Sequence, residues 1–166
     1  MIKYEVDFED LNNQIHKLGQ FNSIARDELS EAMQFVVGRV ERDTKINAPV
    51  GATGELRSKV SSEVTPLVGM DVQGVVRAGT PYALPVEMGQ RPHFPPLQPI
   101  AYWAGRKLGV SGWDGIRVAI SIARRIAARG VKGKFFLRRA FTDNRKDIET
   151  RFKRAADIIM ARMAVR

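Results

Sequence analysis

From residue 29 onward the apolar side chains fall into a helical rhythm. Leu29, Met33, Val36 and Val40 recur at steps of four, three and four, the single stripe that a helix buries. Ser23 stands before them as a cap, with Asp27 and Glu28 in the first turn, where the positive end of the helix dipole favours carboxylates. The pattern predicts a helix over about 23–46, stopped at Asn47-Ala48-Pro49 because a residue before proline is pushed out of helical geometry. Gly51 to Gly54 reads as loop. From Leu56 to Thr65 the rhythm shortens: Leu56, Val60 and Val64 alternate imperfectly with Arg57, Lys59, Ser61 and Glu63, which predicts a strand. Pro66 to Asp71 is the turn, and Val72 to Ala78 is a second strand completing a hairpin or meander. A short third strand is expected over Tyr82 to Met88, placed at a sheet edge by Pro81 and Pro85.

Arg91 to Pro99 holds four prolines in nine residues and predicts a rigid loop. Ile100 to Leu108 reads as a short helix, and Ser111 to Gly115 as a linker or cap. From Ile116 to Arg129, Ile116, Ile120, Ala123, Ile126 and Ala127 lie opposite Arg117, Ser121, Arg124 and Ala128, the pattern of an amphipathic helix that Gly130 terminates. After a loop over Gly130 to Lys134, Phe141, Ile148, Phe152, Ala155, Ile159 and Met163 predict a last helix over about 138–164, roughly 40 Å long.

Length and composition narrow the class. A chain of 166 residues supports one domain and can bury roughly 68–70% of the surface its unfolded form exposes, so a core needs no staples. The absence of cysteine excludes disulfides, thiolate zinc sites, iron–sulfur clusters and a cysteine nucleophile. The first twenty-five residues carry Glu5, Asp7, Glu9 and Asp10 and no apolar run, so neither a signal peptide nor a membrane span is expected, and a soluble intracellular product is. The net charge of +9 is uneven. Residues 1–90 hold 9 Lys+Arg against 13 Asp+Glu, a net −4, and residues 91–166 hold 18 against 5, a net +13. An anionic partner is implied for the second half: nucleic acid, or an acidic protein surface such as another copy's first half.

Few residues offer catalytic chemistry. His16 and His93 are the only histidines, and no H-x-x-x-H, H-E-x-x-H, G-x-S-x-G or paired-carboxylate motif is present, so no enzyme, metal or cofactor is expected. Glu87 and His93 flank the proline loop and are the one pair from which a metal or acid–base site could be built, against the reading of His93 as a hydrogen-bonded loop residue. Gly130-Val131-Lys132-Gly133-Lys134 lacks the glycine spacing and the following Ser or Thr of a P-loop. Pro92 to Pro95 and Pro96 to Pro99 satisfy P-x-x-P, a polyproline ligand or a rigid connection. Arg124, Arg125, Arg129, Lys132 and Lys134, continuing into Arg138 and Arg139, form the densest basic stretch, interleaved with Phe135 and Phe136. That is either a phosphate-contacting and base-stacking surface or a solvated face whose aromatics belong to the core. A helix-turn-helix over 100–108 and 116–129 is disfavoured by a connection longer than three or four residues.

Three separated patches have a shared likeness. Ala48-Pro49-Val50 with Thr53-Gly54-Glu55-Leu56-Arg57, then Gly79-Thr80-Pro81-Tyr82-Ala83 running into Val86-Glu87-Met88-Gly89, and Phe136-Leu137-Arg138-Arg139-Ala140 resemble, in order, segments of the tail-component (neck or tail-completion) family of long-tailed double-stranded-DNA bacteriophages. That family carries A-P-V-x-T-G-x-L-R after an N-terminal helix, P-Y-A-x-x-V-E-x-G on a strand, and P-F-L-x-x-A opening a C-terminal helix. The likeness spans roughly residues 30–160 and rests on Pro49, Thr53, Gly54, Leu56, Arg57, Tyr82, Glu87, Gly89, Phe136 and Leu137. It departs in one extra residue between Val50 and Thr53, in Gln90 where a threonine often stands, in Phe135 where proline is usual, and in a long insertion over about 91–133.

The resemblance implies an α+β fold, a small antiparallel sheet packed against an N-terminal helix and a long C-terminal helix, in a single domain over 1–166 with a helical insertion at about 91–133. It implies a structural virion protein of the tail or neck, assembled in the host cytoplasm, acting in head–tail joining or tail completion as a homo-oligomeric ring, commonly of six, between head connector and tail-tube proteins. A single domain of this length, with a radius of gyration near 15 Å, cannot surround a duplex, whereas a closed ring can. Arg124, Arg125, Arg129, Lys132 and Lys134 would then face a neighbouring subunit or touch passing double-stranded DNA without sequence readout. The alternative function is a basic nucleic-acid-binding accessory module.

Overall fold

The computed structural model describes residues 9–67 and 69–164, and the acidic lead before residue 9 lies outside them. The described chain runs α1 (Glu9–Asn47), α2 (Glu55–Ser58), β1 (Val60–Pro66), β2 (Val72–Ala78), α3 (Ala83–Met88), β3 (Gly89–Gln90), α4 (Leu97–Leu108), α5 (Gly112–Arg129), β4 (Val131–Lys132) and α6 (Phe136–Ala164). It is α+β: the antiparallel β1–β2 hairpin packs against the long N-terminal and C-terminal helices, and a two-residue antiparallel ladder pairs Gly89 with Lys132 and Gln90 with Val131. No helix among the described residues is long and apolar enough to cross a membrane.

Two compact units divide the chain. The first takes the described parts of Met1–Arg39 and Asn144–Arg166 with Ser62–Val75. Its core is a seam of small and branched side chains, Ala25, Ala32, Val36 and Val37 from α1 and Ala155 and Ile159 from α6, all buried. Leu29 and Met33 of the expected stripe are half-buried. Gly74 of β2 backs onto Met33 and Val37 so closely that a Cβ there would collide with both. Ion pairs line the same seam: Glu31 with Arg151 at 2.8 Å and Glu28 with Arg162 at 3.0 Å. Arg39 donates to the buried Asn144 Oδ1 at 2.7 Å and pairs with Asp147 at 2.7 Å.

The second unit comprises Val40–Ser61 and Val76–Asp143. Ala48, Leu56, Ala83 and Phe136 form its buried cluster, with Ala78, Val86 and Leu137 packed around them. Apart from that cluster, α4 and α5 form a helical hairpin whose joint is made of small residues: Ala104 on α4 and Gly115, Ala119 and Ala123 on α5 are buried.

Several boundaries differ from expectation, each for a local reason. Ser23 does not cap α1 but sits within it, its hydroxyl donating to the Gln20 carbonyl at 2.9 Å, a back-bond that lets serine occupy a helix interior. Leu56 lies in a helical turn, not a strand: Gly54 adopts φ 71, and Ser58 and Lys59 donate back to the carbonyls of Gly54 and Glu55. The expected third strand over Tyr82 to Met88 is α3, because Pro81 precedes the helix and Pro85 falls in its first turn, where no intrahelical N–H is required. For the same reason Pro99 lies inside the first turn of α4, so Pro96 to Pro99 is not an extended polyproline segment. The α4–α5 connection is only Gly109 to Ser111, with Gly109 left-handed at φ 70, so loop length does not argue against a helix-turn-helix arrangement as expected. On α5, Ile116 is exposed and the buried stripe is Gly115, Ala119 and Ala123. On α6, Phe141 and Met163 are exposed while Ala155 and Ile159 are buried.

Candidate functional site

All three sequence patches belong to the second unit and meet there. The cluster takes Ala48 and Leu56 from the first, Ala83 and Val86 from the second, and Phe136 and Leu137 from the third; Phe136 is 1% exposed. Burying a phenylalanine side chain is worth roughly 1.5–3 kcal/mol, so residues more than eighty positions apart are joined by an appreciable apolar term.

Polar groups bind the same patches together. Arg57 turns back to donate to the carbonyls of Ala48 at 3.1 Å and Ile46 at 3.3 Å, closing the loop that follows α1. Tyr82 donates its hydroxyl to Glu55 Oε2 at 3.3 Å, and Glu55 Oε1 meets Lys59 at 2.7 Å. Hydrogen bonding and charge from Lys59 hold the Glu55 carboxyl below its ordinary value, and Glu55 raises Lys59 in return. Burial, followed by the Glu55 charge, raises Tyr82. Thr53 is exposed and its hydroxyl weakly accepts the Glu55 N–H at 3.4 Å, and Pro49 is half-buried beside Ala48 in sequence.

Glu87 occupies the centre of the third connection. Its Oε2 accepts the Leu137 N–H at 3.0 Å and its Oε1 the Arg138 N–H at 2.9 Å, while Lys134 and Phe135 donate their N–H groups to the carbonyls of Val86 and Glu87. A helix start leaves such N–H groups unpaired, and α6 begins after Phe135, which has no side-chain acceptor, so a carboxylate from α3 serves as its cap. Phe135 itself takes φ 51, left-handed, with the Arg138 guanidinium 5.9 Å from its ring centroid. Proline cannot adopt that φ, so the departure from the resembled P-F-L pattern is a difference in backbone as well as in side chain. Gly133 passes so close to α3 that a Cβ would lie 2.5 Å from the Glu87 carbonyl oxygen, and Gly89 approaches the Val131 carbonyl equally tightly. The glycine-and-lysine loop is therefore half of a backbone ladder and not a phosphate cradle.

The Glu87–His93 pairing does not form: Glu87 caps α6, and His93 is an exposed loop residue whose Nδ1 donates to the Arg91 carbonyl at 2.9 Å. No group of three or more His, Cys, Asp or Glu that could hold a metal occurs among the described residues.

Arg124, Arg125, Arg129, Lys132 and Lys134 are all exposed, and none has an ion-pair partner among the described residues. The aromatics between them and Arg138 do not share that surface, Phe136 being core and Phe135 half-buried. Part of the charge asymmetry between the halves of the chain is answered within it, through Glu28 to Arg162 and Glu31 to Arg151.

Sequence reasoning missed the small residues Ala48, Ala83, Ala104 and Ala119, the Arg39–Asn144–Asp147 network, and the left-handed Phe135. Ala48 and Ala83 could have been found from their place inside the patches and Ala119 from its four-residue spacing with Gly115 and Ala123 on α5, whereas Ala104 on α4 has no such signal. Nothing local marks Arg39 and Asn144, which are 105 positions apart. Comparison of the chain with protein-family models, with curated proteins and with solved structures found no match.

Proposed function

We propose that this protein is a structural component of a bacteriophage virion, acting in head–tail joining or tail completion as a closed ring of copies between the head connector and the tail tube, and carrying out no catalysis. The observation that carries the reading is the meeting of Ala48, Leu56, Ala83 and Phe136 in one buried cluster, since each comes from one of the patches that resemble the tail-component family.

Two further features support it. The polar residues of the patches, Arg57 and Glu87, bind backbone groups and so serve architecture. Large apolar side chains remain uncovered on the same unit, with Leu84 70% exposed and Met88 61% exposed one turn apart on α3, and Trp113 79% exposed at the start of α5. Apolar groups left in solvent at that level suit burial between subunits. A head-to-tail contact that closes on itself would give the ring.

The test is solution assembly. Light scattering of the chain alone and mixed with a tail-tube protein should give the mass of a closed oligomer in at least one condition. A strict monomer that binds neither tube nor connector proteins contradicts the proposal.

A further inference from the structure

From Arg91 to Thr142 the chain holds eleven Lys and Arg against one acid, Asp114. Helix α5 organises this charge. Its buried side is Gly115, Ala119 and Ala123, and these small residues leave the opposite side free to carry Arg117, Arg124 and Arg125, with Arg129 at the margin of that side, all exposed. Arg117 and Arg124 stand two turns apart, about 10 Å, and Arg125 and Arg129 one turn apart, about 6 Å. Lys132 and Lys134 extend the row beyond the helix.

We infer that the solvent face of α5, continued by Lys132 and Lys134, is a docking surface for double-stranded DNA held through its phosphates without base readout. The cations are presented by a regular helix and, apart from a loose pairing of Arg117 with Asp114 at 3.9 Å, have no ion-pair partner among the described residues. Over the roughly 18 Å from Arg117 to Arg129, a duplex presents about ten phosphate charges. Beyond Arg124 the aromatics are withdrawn, with Phe136 buried and Phe135 half-buried against Arg138, so Trp113, exposed one turn before Arg117, is among the described residues the one aromatic on this face, too few for the successive base stacking that a single strand uses. A second copy is a poorer match: Glu28 and Glu31 on α1 already meet Arg162 and Arg151, Glu55 meets Lys59, and Glu87 is bound to backbone N–H groups. The arginines concentrate in the second half of α5 and not at its start, which suits backbone contact over insertion of a recognition helix tip into a groove. This surface is independent of the assembly reading, since a chain that fails to bind DNA can still form rings and the reverse also holds.

The experiment is fluorescence anisotropy of a labelled 25-base-pair duplex titrated with the full chain across a series of salt concentrations. The expected result is binding whose log K falls with log salt at a slope between about −3 and −5, and which differs less than threefold between unrelated sequences. The triple variant Arg124→Gln, Arg125→Gln, Arg129→Gln, chosen because Gln is as good a helix former as Arg, should make the slope shallower by about two to three and weaken binding at least tenfold at 0.1 M salt. Circular dichroism checks its fold, and Lys132→Gln with Lys134→Gln supplies a second, off-helix variant that should lower the slope by about one to two. Arg145→Gln, whose guanidinium already pairs with Glu149, should leave the slope unchanged. The inference is overturned by no binding to duplex, by a slope that neither variant set changes, by tighter binding to the single strand than to the duplex, or by preference for polyglutamate over DNA.

Discussion

The carboxylate of Glu87, on the short helix α3, receives the backbone N–H of Leu137 at 3.0 Å, and its second oxygen takes the N–H of Arg138. Those are the second and third residues of α6, the positions an ordinary N-cap side chain would serve. A helix of 29 residues thus takes its cap from a group fifty positions earlier in the chain.

Removing that carboxylate should therefore be felt as a cap loss. Glu87→Ala is expected to cost about 1–3 kcal/mol and Glu87→Gln about half as much, because the amide keeps one acceptor oxygen but no charge. Urea denaturation of the three proteins checks it; equal stability of Glu87→Ala and the parent would refute the capping role.

Phe135 and Phe136 should respond in different ways. Phe136→Ala empties the centre of the buried cluster and should cost about 3–5 kcal/mol. Phe135→Pro imposes a φ near −65° where the chain holds 51° and deletes the N–H donated to the Glu87 carbonyl, so about 3 kcal/mol or more is expected. Thermal unfolding of both variants distinguishes them from Phe141→Ala, an exposed position that should change stability little.

At Gly133 the expected effect is steric. A methyl group there meets the Glu87 carbonyl oxygen at 2.5 Å and the Met88 carbonyl carbon at 2.7 Å, backbone atoms that cannot swing aside. Gly133→Ala should cost about 1–3 kcal/mol, whereas Gly51→Ala, with open space around it, should be close to neutral. Melting temperatures of the pair provide the comparison.

The Glu55, Lys59 and Tyr82 group makes stability depend on pH at both ends. Glu55 is held below its ordinary 4.5, so its contribution is present above that value and is lost as pH falls through the lower folded value. Lys59 and Tyr82 are raised above 10.5 and 10.0, so theirs is present below those values and is lost as pH rises through the folded ones. The loss at alkaline pH should be smaller in Tyr82→Phe than in the parent, since the phenol proton shared with Glu55 is gone. Melting curves from pH 7 to 11 measure it, and identical alkaline profiles would count against the contact.

Where the sequence was legible, its local pattern agreed with its environment. Val72 to Ala78, with Val75 and Val76 between Gln73 and Arg77, is a strand over that span, and Gly130 ends α5 as its position suggested. Of Phe135 and Phe136, both read as core aromatics, Phe136 is buried and Phe135 is half-buried. The failures came where one residue type has two uses. Pro81 and Pro85 break a strand but are at ease around a helix start, and Ser23 caps one helix as readily as it sits inside another. On α5 the hydrophobic isoleucines drew attention, while the joint with α4 is made by glycine and alanine, whose value is closeness and not area. The cap from Glu87 to α6 has no local signature, because its donors lie fifty residues away and are backbone groups that every residue but proline carries.

The central claim is that this chain builds a junction in a virion, and imaging tests it most directly. Purified tail tubes incubated with the protein and viewed by negative stain should acquire a closed ring of copies at one end, with symmetry recoverable by averaging. Bare tube ends, with all of the protein left as monomer in the supernatant after sedimentation and no ring formed with connector proteins, would contradict the account.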